Sequence, residues 1–320
     1  MKSIRIEQFG PASVLRAQTV PELLVGPGEI RVGLKAIGVN PVDTYIRSGG
    51  YAVKPALPYT PGGDGAGVVL EVGPGVSGFH PGQRVYLTGS LTGTYAEEAL
   101  CAPKHLHPLP DPVSFEQGAA LGVPYATAFY ALYFRARALP GETLLVHGAS
   151  GGVGLAAVQI GRAMGLRVFG TGGSETGREE ILRQGAHAAF DHTRAGYEEE
   201  IAAQTGGSGL DVILEMLANV NLGRDLQLLA PHGRVAVVGS RGPVEIHPRD
   251  AMTRNADIRG VLLAGATEKE LASIHAGLYA GLESGALRPV IGRRFALDDA
   301  AAAHDAVLAP GAHGKIILVP

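Results

Sequence analysis

Residues 147–154 read His147-Gly148-Ala149-Ser150-Gly151-Gly152-Val153-Gly154, and their surroundings decide the fold. Just before them, Thr143–Val146 is an unbroken, largely apolar run, as expected of a strand buried on both faces. Just after them, Val153, Ala156, Ala157, Ile160 and Met164 recur at helical spacing and give one apolar face. Glycines 148, 151 and 154 lie three apart, which departs from the G-x-G-x-x-G spacing but meets the same physical demand. A turn without side chains lets the backbone approach a pyrophosphate, and the helix N-terminus supplies N–H donors and a positive dipole end. A glycine-rich turn alone is weak evidence; between a buried strand and an amphipathic helix it points to a dinucleotide site.

Downstream the same rhythm continues. Strands are expected at Leu166–Gly170, Ala188–Phe190, Leu210–Leu217, Arg234–Val238 and Ile258–Leu263. Helices are expected at Arg178–Gln184, Tyr197–Gln204 and Leu222–Leu229. With Thr143–Val146 this makes an α/β fold with a doubly wound, parallel, six-stranded sheet. Helices over Lys269–Ser284 and Asp298–Leu308 and a strand over Lys315–Val319 then return the chain to its first part.

Upstream the runs are short and strand-like: Ser3–Gln8, Glu29–Ile37, Gly65–Val72, Arg84–Leu87 and Tyr95–Cys101. Gly26-Pro27-Gly28, Gly73-Pro74-Gly75 and Pro81-Gly82 separate them. Asp43 is placed to cap a short helix over Thr44–Arg47. The expected organisation is a mostly β domain over 1–124, a cofactor domain over 125–264 and a return segment over 265–320.

Composition narrows the function. A chain of 320 residues with 46% hydrophobic and 18% charged residues is globular and long enough for two domains. A net charge of −3 gives no global pull toward nucleic acid or an anionic membrane. No run approaches a membrane span, and the opening MKSIRIEQFG lacks the apolar core of a signal peptide, so the cytoplasm is the expected location. The lone Cys101 can make neither an internal disulfide nor a zinc site built on several thiolates. The histidines show no compact ligand pattern.

At the end of the second strand of the sheet, NAD enzymes usually place a carboxylate for the ribose hydroxyls. Here Gly170-Thr171-Gly172-Gly173-Ser174 offers none. The small residues leave room for a 2′-phosphate, with Arg178, His192 or Arg241 to meet it, and Glu175 past the strand pointing away. NADPH is the expected cofactor.

Several longer stretches carry a resemblance. They are 38–49 (GVNPVDTYIRSG), 57–62 (LPYTPG), 146–155, 215–222 (EMLANVNL) and 237–242 (VVGSRG). Together they resemble the zeta-crystallin and NADPH:quinone oxidoreductase family, the zinc-free branch of the medium-chain dehydrogenase/reductase superfamily. The resemblance implies a GroES-like catalytic domain and a Rossmann cofactor domain. Zinc enzymes of that superfamily carry cysteine where this chain has Asn40, and Gly-His-Glu where it has Gly62-Gly63-Asp64, so no metal is expected. Without a Lewis acid a simple ketone is a poor acceptor, whereas a quinone spreads the developing charge over a ring.

The resemblance also implies the site. Asn40 either hydrogen-bonds cofactor or substrate oxygen or caps the helix that follows. Tyr45 touches cofactor or packs in the core, and Tyr51 lines the acceptor pocket or anchors its loop. Thr127 falls near the carboxamide, while Ser150, Gly151, Gly152, Val153, Gly173 and His192 surround the phosphates and adenosine. Asn221 contacts cofactor or caps Leu222–Leu229, and Val238-Gly239-Ser240-Arg241 closes the carboxyl edge of the sheet. No proton donor is assigned. The implied activity is quinone reduction, by one-electron steps that release semiquinone, in a homodimer or homotetramer. Two alternatives stand beside it: reduction of enone or enal double bonds, and a nucleic-acid-binding or structural role, which the charge disfavours.

Overall fold

A computed structural model describes residues 1–52, 54–311 and 313–320. The chain forms two compact units, Met1–Val123 with Arg288–Pro320, and Pro124–Leu287.

The first unit opens with β1 (Lys2–Arg5) antiparallel to β2 (Arg16–Thr19). Then come β3 (Ile30–Val39), α1 (Pro41–Arg47), β4 (Asp64–Val72), β5 (Arg84–Thr88), β6 (Glu98–Cys101), β7 (Leu106–Pro108) and α2 (Phe115–Gly118). Along β3, Ile30, Val32 and Leu34 are buried while Arg31, Gly33 and Lys35 face outward, the period of two that one solvated face imposes. The short helix begins at Pro41, where a missing N–H costs nothing. Asp43 is therefore not its cap: Asn40 holds that position, and Asp43 Oδ2 accepts the Asn40 N–H at 2.8 Å.

In the second unit, α3 (Ala126–Phe129) precedes β8 (Thr143–Val146), α4 (Gly152–Ala163), β9 (Arg167–Thr171), α5 (Glu175–Arg183) and β10 (Ala188–Phe190). There follow α6 (Tyr197–Gln204), β11 (Leu210–Glu215), α7 (Ala218–Leu228), β12 (Leu229–Val237), α8 (Pro248–Met252), β13 (Asp257–Gly260) and α9 (Glu268–Glu283). The sheet is parallel with strand order β10-β9-β8-β11-β12-β13. Leu144, Leu145, Val146, Ile213 and Leu214 have no exposure, as strands covered on both faces require. The order reverses between β8 and β11, which puts the switch point beside the glycine turn.

The chain re-enters the first unit with β14 (Ile291–Ala296), α10 (Ala300–Leu308) and β15 (Lys315–Val319), the last antiparallel to β3. This return starts at Arg288 rather than 265. The reason is packing: α9 buries Ile274, Leu278 and Leu282, and its Gly277 lies against the Phe129 ring of α3. Other boundaries shift as well. The strand expected to reach Leu217 stops at Glu215, whose carboxylate takes the Leu217 N–H. The helix then starts at Ala218, which puts Asn221 inside it rather than at its cap, and it ends at Leu228 because β12 begins at Leu229. The sixth strand lies over Asp257–Gly260 at the sheet edge, not over 258–263. Among the described residues, no helix is long and apolar enough to cross a membrane.

Candidate functional site

The glycine turn has the shape of an anion cradle. Gly148 sits at φ +57°, a region that disfavours a side chain, and the Ala149 N–H donates to Thr171 O at 2.8 Å. Gly151 is the N-cap of α4 and has no side chain to satisfy the helix's first N–H groups. A Cβ on Gly154 would lie 2.5 Å from both Ala149 Cα and Gly148 O, so only glycine lets the helix pack this close to the turn. A Cβ on Gly151 would meet nothing closer than Gly148 O at 3.5 Å. Ser150, Gly151, Gly152 and Val153 are half-buried around this opening. These residues fit a dinucleotide pyrophosphate.

Beyond β9, Gly173 and His192 come together: a Cβ on Gly173 would stand 3.1 Å from His192 Nε2. Arg178 reaches the same place, with Nη1 donating to Gly172 O at 3.1 Å and pairing with Asp191 Oδ2 at 3.0 Å. Asp191 is a carboxylate that the sequence reading overlooked. Hydrogen bonds from Thr193, ahead of the Arg178 charge, hold its pKa below the ordinary value. Arg241 lies elsewhere, after β12, exposed, with its N–H on Asn219 Oδ1 at 2.9 Å. Ala218 N–H donates to Gly239 O at 2.9 Å, so the segments 217–221 and 238–241 form one paired edge. Asn221 turns its amide inward, donating to Glu215 Oε1 at 3.2 Å and accepting from Arg224 at 3.0 Å.

Beneath these loops lies a buried polar cluster that corrects the reading of scattered histidines. Ligand-type atoms of His147, Glu215 and Asp225 gather within 4.8 Å of one another. His147 Nε2 is 2.9 Å from Asp225 Oδ1 and 3.6 Å from Glu215 Oε2. Its Nδ1 is 3.4 Å from Thr171 Oγ1, which accepts the Gly148 N–H at 3.2 Å and lies 3.4 Å from His192 Nδ1. Burial pushes both carboxyls up to about 7 and lowers the His147 imidazole, so the cluster favours neutral forms.

In the first unit, Asn40 Nδ2 donates to Asp64 Oδ2 at 2.8 Å, and the Lys315 ammonium donates to Asn40 Oδ1 and to Asp64 Oδ2. The Val123 N–H completes Asp64 at 2.9 Å. The amide of Asn40 is thus bound to Asp64 and Lys315, while Asn40 itself stands at the N-cap of α1, one of the two places the sequence offered it, without a side-chain hydrogen bond to the helix. The donor set does not fit zinc. One amide and one carboxylate are present, and an ammonium already satisfies both. A cavity of about 850 Å³ in this unit is lined by Val42, Asp43 and Ile46 of α1 and by Tyr59 and Val123. Neither Tyr45 nor Tyr51, both half-buried, is among the described residues lining it. Thr127 is buried in α3 of the second unit.

Comparison with known proteins agrees with this architecture. Residues 26–111 match the family model of the alcohol dehydrogenase GroES-like domain, and residues 152–276 match that of the zinc-binding dehydrogenases. The quinone oxidoreductase of Rattus norvegicus is 50% identical over 322 residues, covering 100% of this chain and 98% of its own. The Escherichia coli quinone oxidoreductase, solved in complex with NADPH, superposes with a TM-score of 0.90 at 30% identity over 100% of both chains. An NAD-dependent alcohol dehydrogenase superposes with a TM-score of 0.93 at 28% identity, again over 100% of both.

Proposed function

The chain belongs to the quinone oxidoreductase family of the medium-chain dehydrogenase/reductase superfamily, and from that premise we propose that it reduces quinones with NADPH and without a metal. The observation that carries this reading is the N-terminus of α4 at the Gly148–Gly151 turn, where the N-cap glycine brings no side chain to the first N–H groups of the helix and leaves the backbone approachable by an anion. When bound, NADPH supplies the hydride from its nicotinamide ring. Gly151, Gly152 and Val153 hold the pyrophosphate through the backbone. Gly173, His192 and Arg178 receive the adenosine end, where small residues and a guanidinium favour a 2′-phosphate, and Arg241 on the edge after β12 is the other guanidinium offered to that phosphate. Thr127, Tyr45, Tyr51 and Val238–Ser240 complete the binding surfaces of the two units.

The metal-free part rests on Lys315. Its ammonium supplies the positive charge at Asn40 and Asp64, and a dication there would have to displace it. A quinone tolerates this loss because its reduced oxygen is stabilised by the ring and protonated by water. The exposed Ile258 on the edge strand β13 and the exposed Leu262 just beyond it support assembly into a homodimer or homotetramer.

The test is NADPH oxidation by metal-stripped protein with an ortho-quinone, a para-quinone and a simple enone, with NADH in parallel. Rapid quinone turnover with NADPH, indifferent to chelator, is the expected result. Turnover of the enone alone would replace the substrate class and keep the cofactor. An electron paramagnetic resonance signal during turnover reports the one-electron course; hydroquinone without a radical assigns two-electron transfer.

A further inference from the structure

We infer that Glu215 is a positioning residue that locks together the cofactor-facing turns of the second unit, with His147 and Asp225 fixing its carboxyl. The inference rests on reading those turns as the dinucleotide site. Glu215 is the last residue of β11 and has no exposure, so it acts through its neighbours rather than on a ligand. Its Oε1 accepts the Leu217 N–H and the Asn221 amide, which sets the start of α7. Its backbone carbonyl accepts from Val238 at 2.8 Å and from Gly239 at 3.3 Å, which sets the turn after β12.

The far side of the carboxyl continues the chain of contacts. Oε2 faces His147, the residue immediately before the glycine turn. His147 reaches Thr171 at the end of β9, and Thr171 in turn meets both the Gly148 N–H and His192. One connected set of buried groups therefore underlies the loops after β8, β9, β11 and β12, the four that flank the switch point.

Charge explains why the set is rigid. Glu215 Oε2 and Asp225 Oδ2 are buried acceptors with no donor of their own, and oxygens of the two carboxyls lie within 4.8 Å of each other beside His147. Burial raises both carboxyls, and a proton on either one gives the pair the donor it lacks. Of the charges nearest the cluster, Arg224 on α7 is paired with Glu198 on α6 at 2.9 Å. A carboxylic acid held neutral can both donate and accept, so Glu215 is fixed from both ends.

The experiment compares NADPH affinity, by fluorescence, in the full-length wild type, Glu215→Ala, Glu215→Gln and Thr171→Val, alongside steady-state kinetics and bound-metal analysis. Glu215→Ala is expected to raise the Kd and the KM for NADPH at least about tenfold while kcat at saturating cofactor stays within about twofold. Glu215→Gln keeps the carbonyl acceptor for Leu217 and Asn221 and offers an amide donor to Asp225, so it should stay within about threefold of the wild type. Thr171→Val cuts the link to His192 at nearly constant volume and should raise the Kd several-fold, which covers the case in which Glu215→Ala does not fold. Unchanged affinity in Glu215→Ala, or in Thr171→Val if only that variant folds, would overturn the inference. So would a stoichiometric metal held by His147, Glu215 and Asp225. A wild type that binds no NADPH would instead overturn the cofactor reading beneath it.

Discussion

The Nζ of Lys315 lies 3.0 Å from Oδ2 of Asp64, and both side chains are buried. Lys315 opens β15, Asp64 opens β4 and Asn40 follows β3, so one hydrogen-bonded group pins three strand ends. Removing one partner of a buried pair leaves the other charge uncompensated, at a cost of about 3–5 kcal/mol. Lys315→Met is therefore expected to lower the unfolding free energy by about 3 kcal/mol in urea titrations, and adding Asp64→Asn should restore part of it. A loss below about 1 kcal/mol would show that Asn40 and the Val123 N–H suffice for Asp64.

The two glycines at the start of α4 make opposite demands. At Gly151 a Cβ finds ordinary space and the backbone, at φ −76° and ψ 174°, accepts any residue. Gly151→Val should keep the melting temperature within a few degrees and abolish NADPH binding, because the side chain projects where the pyrophosphate would lie. At Gly154 the Cβ collides with backbone at 2.5 Å. Gly154→Ala should cost about 1–3 kcal/mol of stability, as overpacking does. Full NADPH affinity in Gly151→Val would remove the turn from the cofactor site.

The sheet was legible because a buried strand, a glycine turn and an amphipathic helix leave unmistakable periodicity. β7, β14 and the helical stretch around Thr127 left no such pattern. β7 is three residues long, and β14, Ile291–Ala296, carries two arginines side by side. Asn40 was legible in position but not in partner, since Lys315 is 275 residues away. The buried cluster had a usable signal. β8 pairs with β11 in parallel, with Val146 opposite Leu214, so the next residues, His147 and Glu215, must meet at the strand ends. Asp225 adds to them from inside α7, where strand register gives no guidance.

Cofactor choice depends on which guanidinium reads the 2′-phosphate. Arg178 is already engaged by Asp191, whereas Arg241 is exposed and its backbone is fixed by Asn219. Arg241→Ala is therefore expected to weaken NADPH by about 1.5–3 kcal/mol, roughly tenfold to a hundredfold, with little effect on NADH. Equal losses for both cofactors would reject Arg241 as the phosphate reader. A selective loss in Arg178→Ala instead would move the reader to the Gly173–His192 corner.

Asp43 offers a prediction in which the sign is fixed by burial. Its carboxyl is pushed up from 3.8 to about 7, chiefly by desolvation and against the Asn40 N–H that stabilises its charge. The Tyr95 hydroxyl donates to it at 3.3 Å and contacts His304 on α10 at 3.0 Å. Between about pH 4 and pH 7 the folded protein holds a proton that the unfolded chain releases, so this group's contribution to stability is full below pH 4, falls as the pH rises and is flat above 7. Glu215 and Asp225 act in the same direction, so the wild-type slope alone does not identify Asp43. The difference between Asp43→Asn and wild type does, because the amide cannot titrate. Measured by urea unfolding at half-unit steps, that difference should move in favour of the variant from pH 4 to 7 and then level off. A difference independent of pH would mean that Asp43 ionises near 4 in the folded protein, and that the Tyr95–His304 side of α1 carries a buried carboxylate at every working pH.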